Sequence, residues 1–162
     1  MSKNDNIKIE YGEQKSQTAL SIKAIVLEKD LPSHVEKSYE KIMSYLNEHG
    51  EKPNGAPFIA YYNIDTENLR GNGTWDMEVG FPVSKVLAGK GEIKPALILK
   101  GKTISCIYKG PYKGLGKVYS KLTEWIKENK YQSMKISYEY FYNSPADTPG
   151  EELLTKIMLL IK

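Results

Sequence analysis

Apolar positions along this chain follow two periods, and each period occurs twice. Val35, Ile42 and Leu46 fall at i, i+7 and i+11, and Leu115, Val118, Leu122 and Ile126 at three- and four-residue steps. Both sets place an apolar stripe on one side of a helix. The first helix is predicted to start at a capping box, Ser33-x-x-Glu36, and to stop at Gly50. The second spans about 114–129. Stretches rich in β-forming residues surround them: Ala19–Leu27, 57–63 and 75–83 in the first half, then 97–108, 137–143 and 154–161 in the second. A polar loop, NIDTENLRGNG, separates two of the early strands. Thr148-Pro149-Gly150-Glu151 predicts a capped turn between the last two.

The two halves also align residue by residue. At an 80-residue offset Tyr39 falls on Tyr119, Tyr45 on Trp125, and Phe58-Ile-Ala-Tyr-Tyr-Asn63 on Tyr138-Glu-Tyr-Phe-Tyr-Asn143. This is a duplicated unit rather than a short solenoid repeat. The pattern predicts an α+β fold: one domain at 18–162 made of two βαββ units, about 18–83 and 96–162. SKVLAGKGEIKP joins them, and residues 1–17 form a frayed or loosely docked arm. With one apolar face per helix, both helices should cover one side of an antiparallel sheet and leave a groove on the other. Alternation sets Trp75, Met77, Val79 and Phe81 on the core face, with Asp76 and Glu78 opposite. Glu139 and Phe141 share a face, expected to be the open one.

Composition narrows the function classes. The chain has 162 residues and a net charge of +3, with its 22 lysines and single Arg70 scattered among acids. That is a poor footprint for nucleic acid, whose readers favour arginine forks and clustered basic faces. No apolar run is long enough to span a membrane, and the N-terminus has no apolar signal region. A lone Cys106 gives no disulfide framework, so a reducing cytoplasm is expected. His34 and His49 lack metal-ligand spacing, so no metal or cofactor is expected and histidine triads are disfavoured. His49 reads as a packing or helix-end residue, and Cys106 as a small core residue.

Glu139 remains, standing among Tyr138, Tyr140, Phe141 and Tyr142. The residues alone allow two readings: a strand glutamate on a wet face, or an acid in an aromatic cleft. In the second, desolvation costs several kcal/mol unless a cation compensates it. Each ring facing that cation would add roughly 0.5–2 kcal/mol.

Four further stretches occur in a telling order: Cys106-Ile-Tyr-Lys-Gly-Pro-Tyr112, the helix through Trp125, Glu139-x-Phe-x-x-x-Pro145, and Thr148-Pro-Gly-Glu-Glu-Leu-Leu-Thr155. Together with Trp75–Val83 they resemble the GyrI-like small-molecule-binding domain, the effector-binding domain of AraC- and MerR-type regulators. The resemblance covers about 18–162. It implies a duplicated βαββ fold whose groove takes small molecules, often cationic aromatics, with Glu139 as the contacting acid. By position, Phe141, Tyr61, Tyr108 and Tyr112 would surround the groove, with Trp75 and Glu78 as further candidates. Tyr112 has the alternative role of bracing the Gly-Pro turn, and Trp125, Tyr119 and Tyr39 read as packing residues. Three positions depart from the family pattern: Tyr108 where histidine is common, Phe141 where tyrosine is, and Ser144 where aspartate is.

The expected function is a stand-alone binder of a xenobiotic or metabolite, with no direct DNA binding and no membrane partner. The alternative is a hydrolase of reactive small molecules with Glu139 as its catalytic general acid or base. A third reading is a protein-interaction role such as gyrase inhibition. Haem is disfavoured by the scarcity of histidines.

Overall fold

Both helices start on proline-rich or glycine-rich turns and stop on a residue in the left-handed region. The computed structural model describes residues 7–64 and 73–162, so most of the NIDTENLRGNG loop, including Arg70, lies outside the described residues. Helix α1 (Leu31–Glu48) follows a short 3-10 turn and carries Pro32 in its first turn, with no side chain capping it. The Ser33-x-x-Glu36 box is therefore not used. Pro32 already fixes the backbone angle that starts a helix, and Ser33 lies inside the first turn. At the other end Gly50 has φ 65°, and the Glu51 N–H reaches back to the Leu46 carbonyl at 2.9 Å. Helix α2 (Leu115–Glu128) ends in the same geometry, with Lys130 at φ 62° and Tyr131 N–H to Ile126 carbonyl at 3.0 Å.

Eight strands make one antiparallel sheet in the order β1-β6-β8-β7-β3-β4-β2-β5. They are β1 (Glu10–Gln14), β2 (Gln17–Leu27), β3 (Phe58–Tyr61), β4 (Thr74–Pro82), β5 (Ile93–Ile98), β6 (Gly101–Lys109), β7 (Ser133–Phe141) and β8 (Leu154–Ile161). The α+β class holds, with three local differences. The expected strand at 97–108 is two strands, and the first begins inside the joining segment. Residues 10–14, expected in a frayed arm, are a paired edge strand. The Thr148 turn is a 3-10 turn after Pro149, but the Thr148 hydroxyl bonds Asp147 at 2.9 Å rather than capping it.

The extra strands change the shape of the sheet. Gln14 pairs with Gly101 and Gln17 with Ile98, so three steps on one strand match three on the other. β1–β2 and β5–β6 are thus two long bent strands held in one register. β2 continues the pairing to β4, and β6 continues it to β8. The circuit β2-β4-β3-β7-β8-β6 returns to its start, and the sheet wraps around its inner face. Leu99 holds the bend: its carbonyl accepts from Gln14 at 2.8 Å and its N–H donates to the Tyr138 hydroxyl at 3.0 Å.

Two cores follow from this wrapping. Inside, Phe58, Tyr138, Ile98, Met158 and Leu160 pack together. Outside, α1 lies on β2 and β4 and α2 lies on β6. Ile42 and Leu46 of α1 and Val118, Leu122 and Ile126 of α2 are buried, each contributing roughly 1.5–3 kcal/mol. At the centre, β3 and β7 pair with Ile59 directly opposite Glu139. These two residues also coincide under the 80-residue offset. The pseudo-twofold axis relating the halves therefore passes between them.

Candidate functional site

Register decides which face Glu139 occupies. It pairs with Ile59 and Ile157, and Ile59 pairs with Val79. Those three apolar residues belong to the core beneath Val118, Tyr119 and Leu122 of α2. Glu139 therefore points toward the helices, which corrects the expectation that it faces away from them. The face away from the helices is the inner one, and the wrapped sheet fills its centre with Phe58 and Tyr138.

Glu139 is 6% exposed and has no ion-pair partner among the described residues. Its one side-chain donor is the Tyr119 hydroxyl, which sits 2.7 Å from the Ser137 hydroxyl. Because the Tyr119 hydroxyl donates to the carboxylate, Ser137 donates to Tyr119. The result is a short relay, Ser137 to Tyr119 to Glu139. Burial raises the Glu139 carboxyl to about 7, and the Tyr119 hydrogen bond offsets only part of this.

Aromatic rings surround the acid from both halves. Burial, and then the nearby Glu139 charge, push up the hydroxyl pKa of Tyr39, Tyr61, Tyr112 and Tyr119. Tyr61 lies edge-on to Trp75 at 5.1 Å, and Tyr112 edge-on to Phe141 at 5.7 Å. Tyr39 on α1 donates to the Phe58 carbonyl at 3.0 Å. The floor is thus β3 and β7, and the walls are α1 and α2. Tyr112, 37% exposed, is the outermost ring of this nest.

Of the residues singled out from sequence, Glu139, Phe141, Tyr61, Tyr112 and Trp75 share this outer face. Tyr108 shares it too, but its hydroxyl donates to the Pro111 carbonyl at 2.8 Å. The brace of the Gly-Pro turn is thus Tyr108, not Tyr112. A Cβ on Gly114 would come within 2.1 Å of that hydroxyl, so the turn fits only glycine there. Glu78 is separate. It lies on the inner face, held by Ser21 at 2.6 Å and Tyr62 at 2.5 Å. Alternation had set it opposite Trp75, and the structure agrees, but its face is not the one that holds Glu139.

Tyr119, Tyr39 and Ser137 were missed as site residues. A signal for the first two existed. The repeat puts a tyrosine at the same position of both helices, and a core stripe alone has no need of paired hydroxyls. Two measurable clefts lie elsewhere: about 310 Å³ between Glu10, Gln14, Ser105 and Lys156, and about 550 Å³ beside Glu40, Glu48 and Lys90. Neither borders Glu139: Met158 and Ser105 line the first, and Tyr45 and Ile93 line the second. Elsewhere, burial raises the Cys106 thiol to about 11, which suits a core residue rather than a nucleophile. His49 stacks on Tyr45 and bonds its carbonyl at the end of α1.

The sequence pattern of the GyrI-like small molecule binding domain matches residues 32–162. The chain belongs to that family. No curated protein matches it. Among solved structures, EcmrR bound to DNA is similar to this GyrI-like chain with a TM-score of 0.82 at 20% identity. That match covers 96% of this chain and 57% of EcmrR, so the chain spans little more than half of that relative. SAV2435 bound to tetraphenylphosphonium is similar with a TM-score of 0.67 at 13% identity, covering 96% of this chain and 94% of that one. A hydrolase from Listeria innocua is similar with a TM-score of 0.69 at 9% identity, covering 96% and 92%. At these identities the likeness is one of fold. No helix among the described residues is long and apolar enough to cross a membrane.

Proposed function

We propose that this GyrI-like domain binds a cationic aromatic small molecule between its two helices, with Glu139 as the anionic anchor. One observation carries the reading: a carboxylate buried on the pseudo-twofold axis among tyrosines, with no cation of its own. An incoming cation would supply the missing charge, and the rings of Tyr61, Tyr112 and Phe141 would hold its apolar part. Trp75 would back Tyr61. SAV2435, which shares the fold, was solved with a cation of this type. Entry requires the nest to open, and Tyr112 is its most exposed member.

Calorimetric titration with tetraphenylphosphonium tests this. The wild-type domain should bind it, and Glu139→Gln should weaken binding at least ten-fold while leaving the fold intact. Equal affinities in the two proteins would remove Glu139 from the site. Affinity should also rise with pH up to about 7 and then level off, because only the ionised acid attracts the cation.

One feature favours a second reading. An acid near 7 with a tyrosine donor attached is suited to proton transfer at neutral pH. A hydrolase would use Glu139 to activate water or to protonate a leaving group. Product accumulating with time, and lost in Glu139→Gln, would distinguish it from a binder. Glu78, held by two donors on the other face, has no part in either reading.

A further inference from the structure

Two buried side-chain oxygens in the described residues have no hydrogen-bond partner, those of Thr123 and Thr155. They are not alike. Thr123 lies inside α2, where a threonine hydroxyl has the carbonyl one turn back within reach. Thr155 lies on β8, fully buried, and has no such local acceptor. Its neighbours in register are Tyr108 on β6 and Phe141 on β7, so its side chain shares the helix-facing side of the sheet with both. The Tyr108 hydroxyl is turned to the Pro111 carbonyl and makes no bond to Thr155. Phe141 cannot bond it, having no polar atom. Tyr112 stands edge-on over Phe141 on the same side.

Leaving a hydroxyl unbonded at such a place costs stability. Under the repeat the same position in the first half is Trp75, an aromatic packed on Tyr61. The first half therefore closes its end of the nest with an indole, and the second half puts a small polar group there. Thr155 lies one strand across and two residues along from Glu139. That places its Cα roughly 8 Å away.

We propose that Thr155 is a second polar contact of the site, and that the ligand is a cation bearing a hydroxyl, ether or carbonyl group one ring's length from its charge. This rests on the reading of Glu139 given above and adds to it. Glu139 selects for charge, and Thr155 selects among cations. The hydroxyl can accept from or donate to the ligand, so it tolerates several neutral groups. A purely hydrocarbon cation would leave it unbonded, as it is now.

Two probes that differ by one hydroxyl test the proposal: tetraphenylphosphonium and (4-hydroxyphenyl)triphenylphosphonium. Calorimetry on the wild-type domain should give tighter binding of the hydroxylated probe, by about five-fold for one neutral hydrogen bond. Thr155→Val keeps the side-chain shape and should erase the ratio, while Thr155→Ser should restore it. Glu139→Gln should weaken both probes. Without ligand, Thr155→Val should raise the melting temperature, because it removes an unpaired hydroxyl. A wild-type ratio near one, or a ratio that survives Thr155→Val, overturns the role of Thr155 even if Glu139→Gln still weakens both probes. If neither probe binds the wild-type domain, the reading of Glu139 fails first and this one with it.

Discussion

The two halves of the molecule share one unit and differ in what they bury at its centre. At the position where the first half has Ile59, the second has Glu139. The paired tyrosines of the two helices show the difference. Tyr39 donates to a backbone carbonyl, Phe58, and Tyr119 donates to the buried acid. At the helix ends Gly50 and Lys130 take the same left-handed turn, glycine freely and lysine against its side chain. At Ile59 and Gly50 the first half has the residue that stability favours, and at Glu78, whose repeat mate is the apolar Met158, the order is reversed.

Restoring the symmetry should give the largest effect. Glu139→Ile makes the second half match the first and should abolish cation binding. It should also stabilise the protein at pH 8 by about 3 kcal/mol, read from urea unfolding, since each unit of pKa shift is about 1.4 kcal/mol. The sign follows from the direction of the shift. The folded pKa lies above the unfolded value of 4.5, so the folded state binds the proton more tightly. That stability is complete below pH 4.5 and is lost as pH rises through about 7. The wild type should show this decline and Glu139→Ile should not.

The two tyrosines sharpen the comparison at a smaller scale. Tyr119→Phe removes the one bond that lowers the Glu139 pKa, so the midpoint of pH-dependent ligand binding should move above 7. Tyr39→Phe should cost about 1 kcal/mol by urea unfolding, for the lost bond to Phe58, and leave that midpoint in place. Equal midpoints in the two variants would show that the halves do not differ in this respect. The smallest effect is expected at the helix ends. Lys130→Gly should stabilise the domain by about 0.5–1 kcal/mol in thermal unfolding, and Gly50→Lys should do the reverse.

Much of this arrangement was legible in the sequence. The helical stripes, the offset that superposes the halves and the acid without a repeat mate all came from the residue pattern. The face of Glu139 did not. Phe58-Ile-Ala-Tyr61 is apolar at every position because β3 is buried on both sides, so alternation on it favours neither face. Only the pairing of Ile59 with Val79 and Glu139 assigns the acid to the helices. The wrapping was hidden for a related reason. The bends at 15–16 and 99–100 are only two residues long, and the second, Leu99-Lys100, falls inside the single strand expected at 97–108. β1 carries one apolar side chain in five residues, Tyr11, and that ring docks on Trp125 and Tyr131 at the surface. No apolar run could have announced it.

The long bent ladder has a consequence for the edges of the sheet. An eight-stranded sheet laid flat would present two full-length edges, each a template for another chain. Here the wrap leaves as the outermost strands only β1 and β5, of five and six residues. The first carries Glu10 and Glu13, and the second carries Lys94 and Pro95, which has no N–H to offer. A truncation that removes residues 1–16 would strip β1 and bare the part of the β6 flank it covers, from Gly101 to Ser105. The N-terminal segment thus covers a sheet edge as well as extending the sheet.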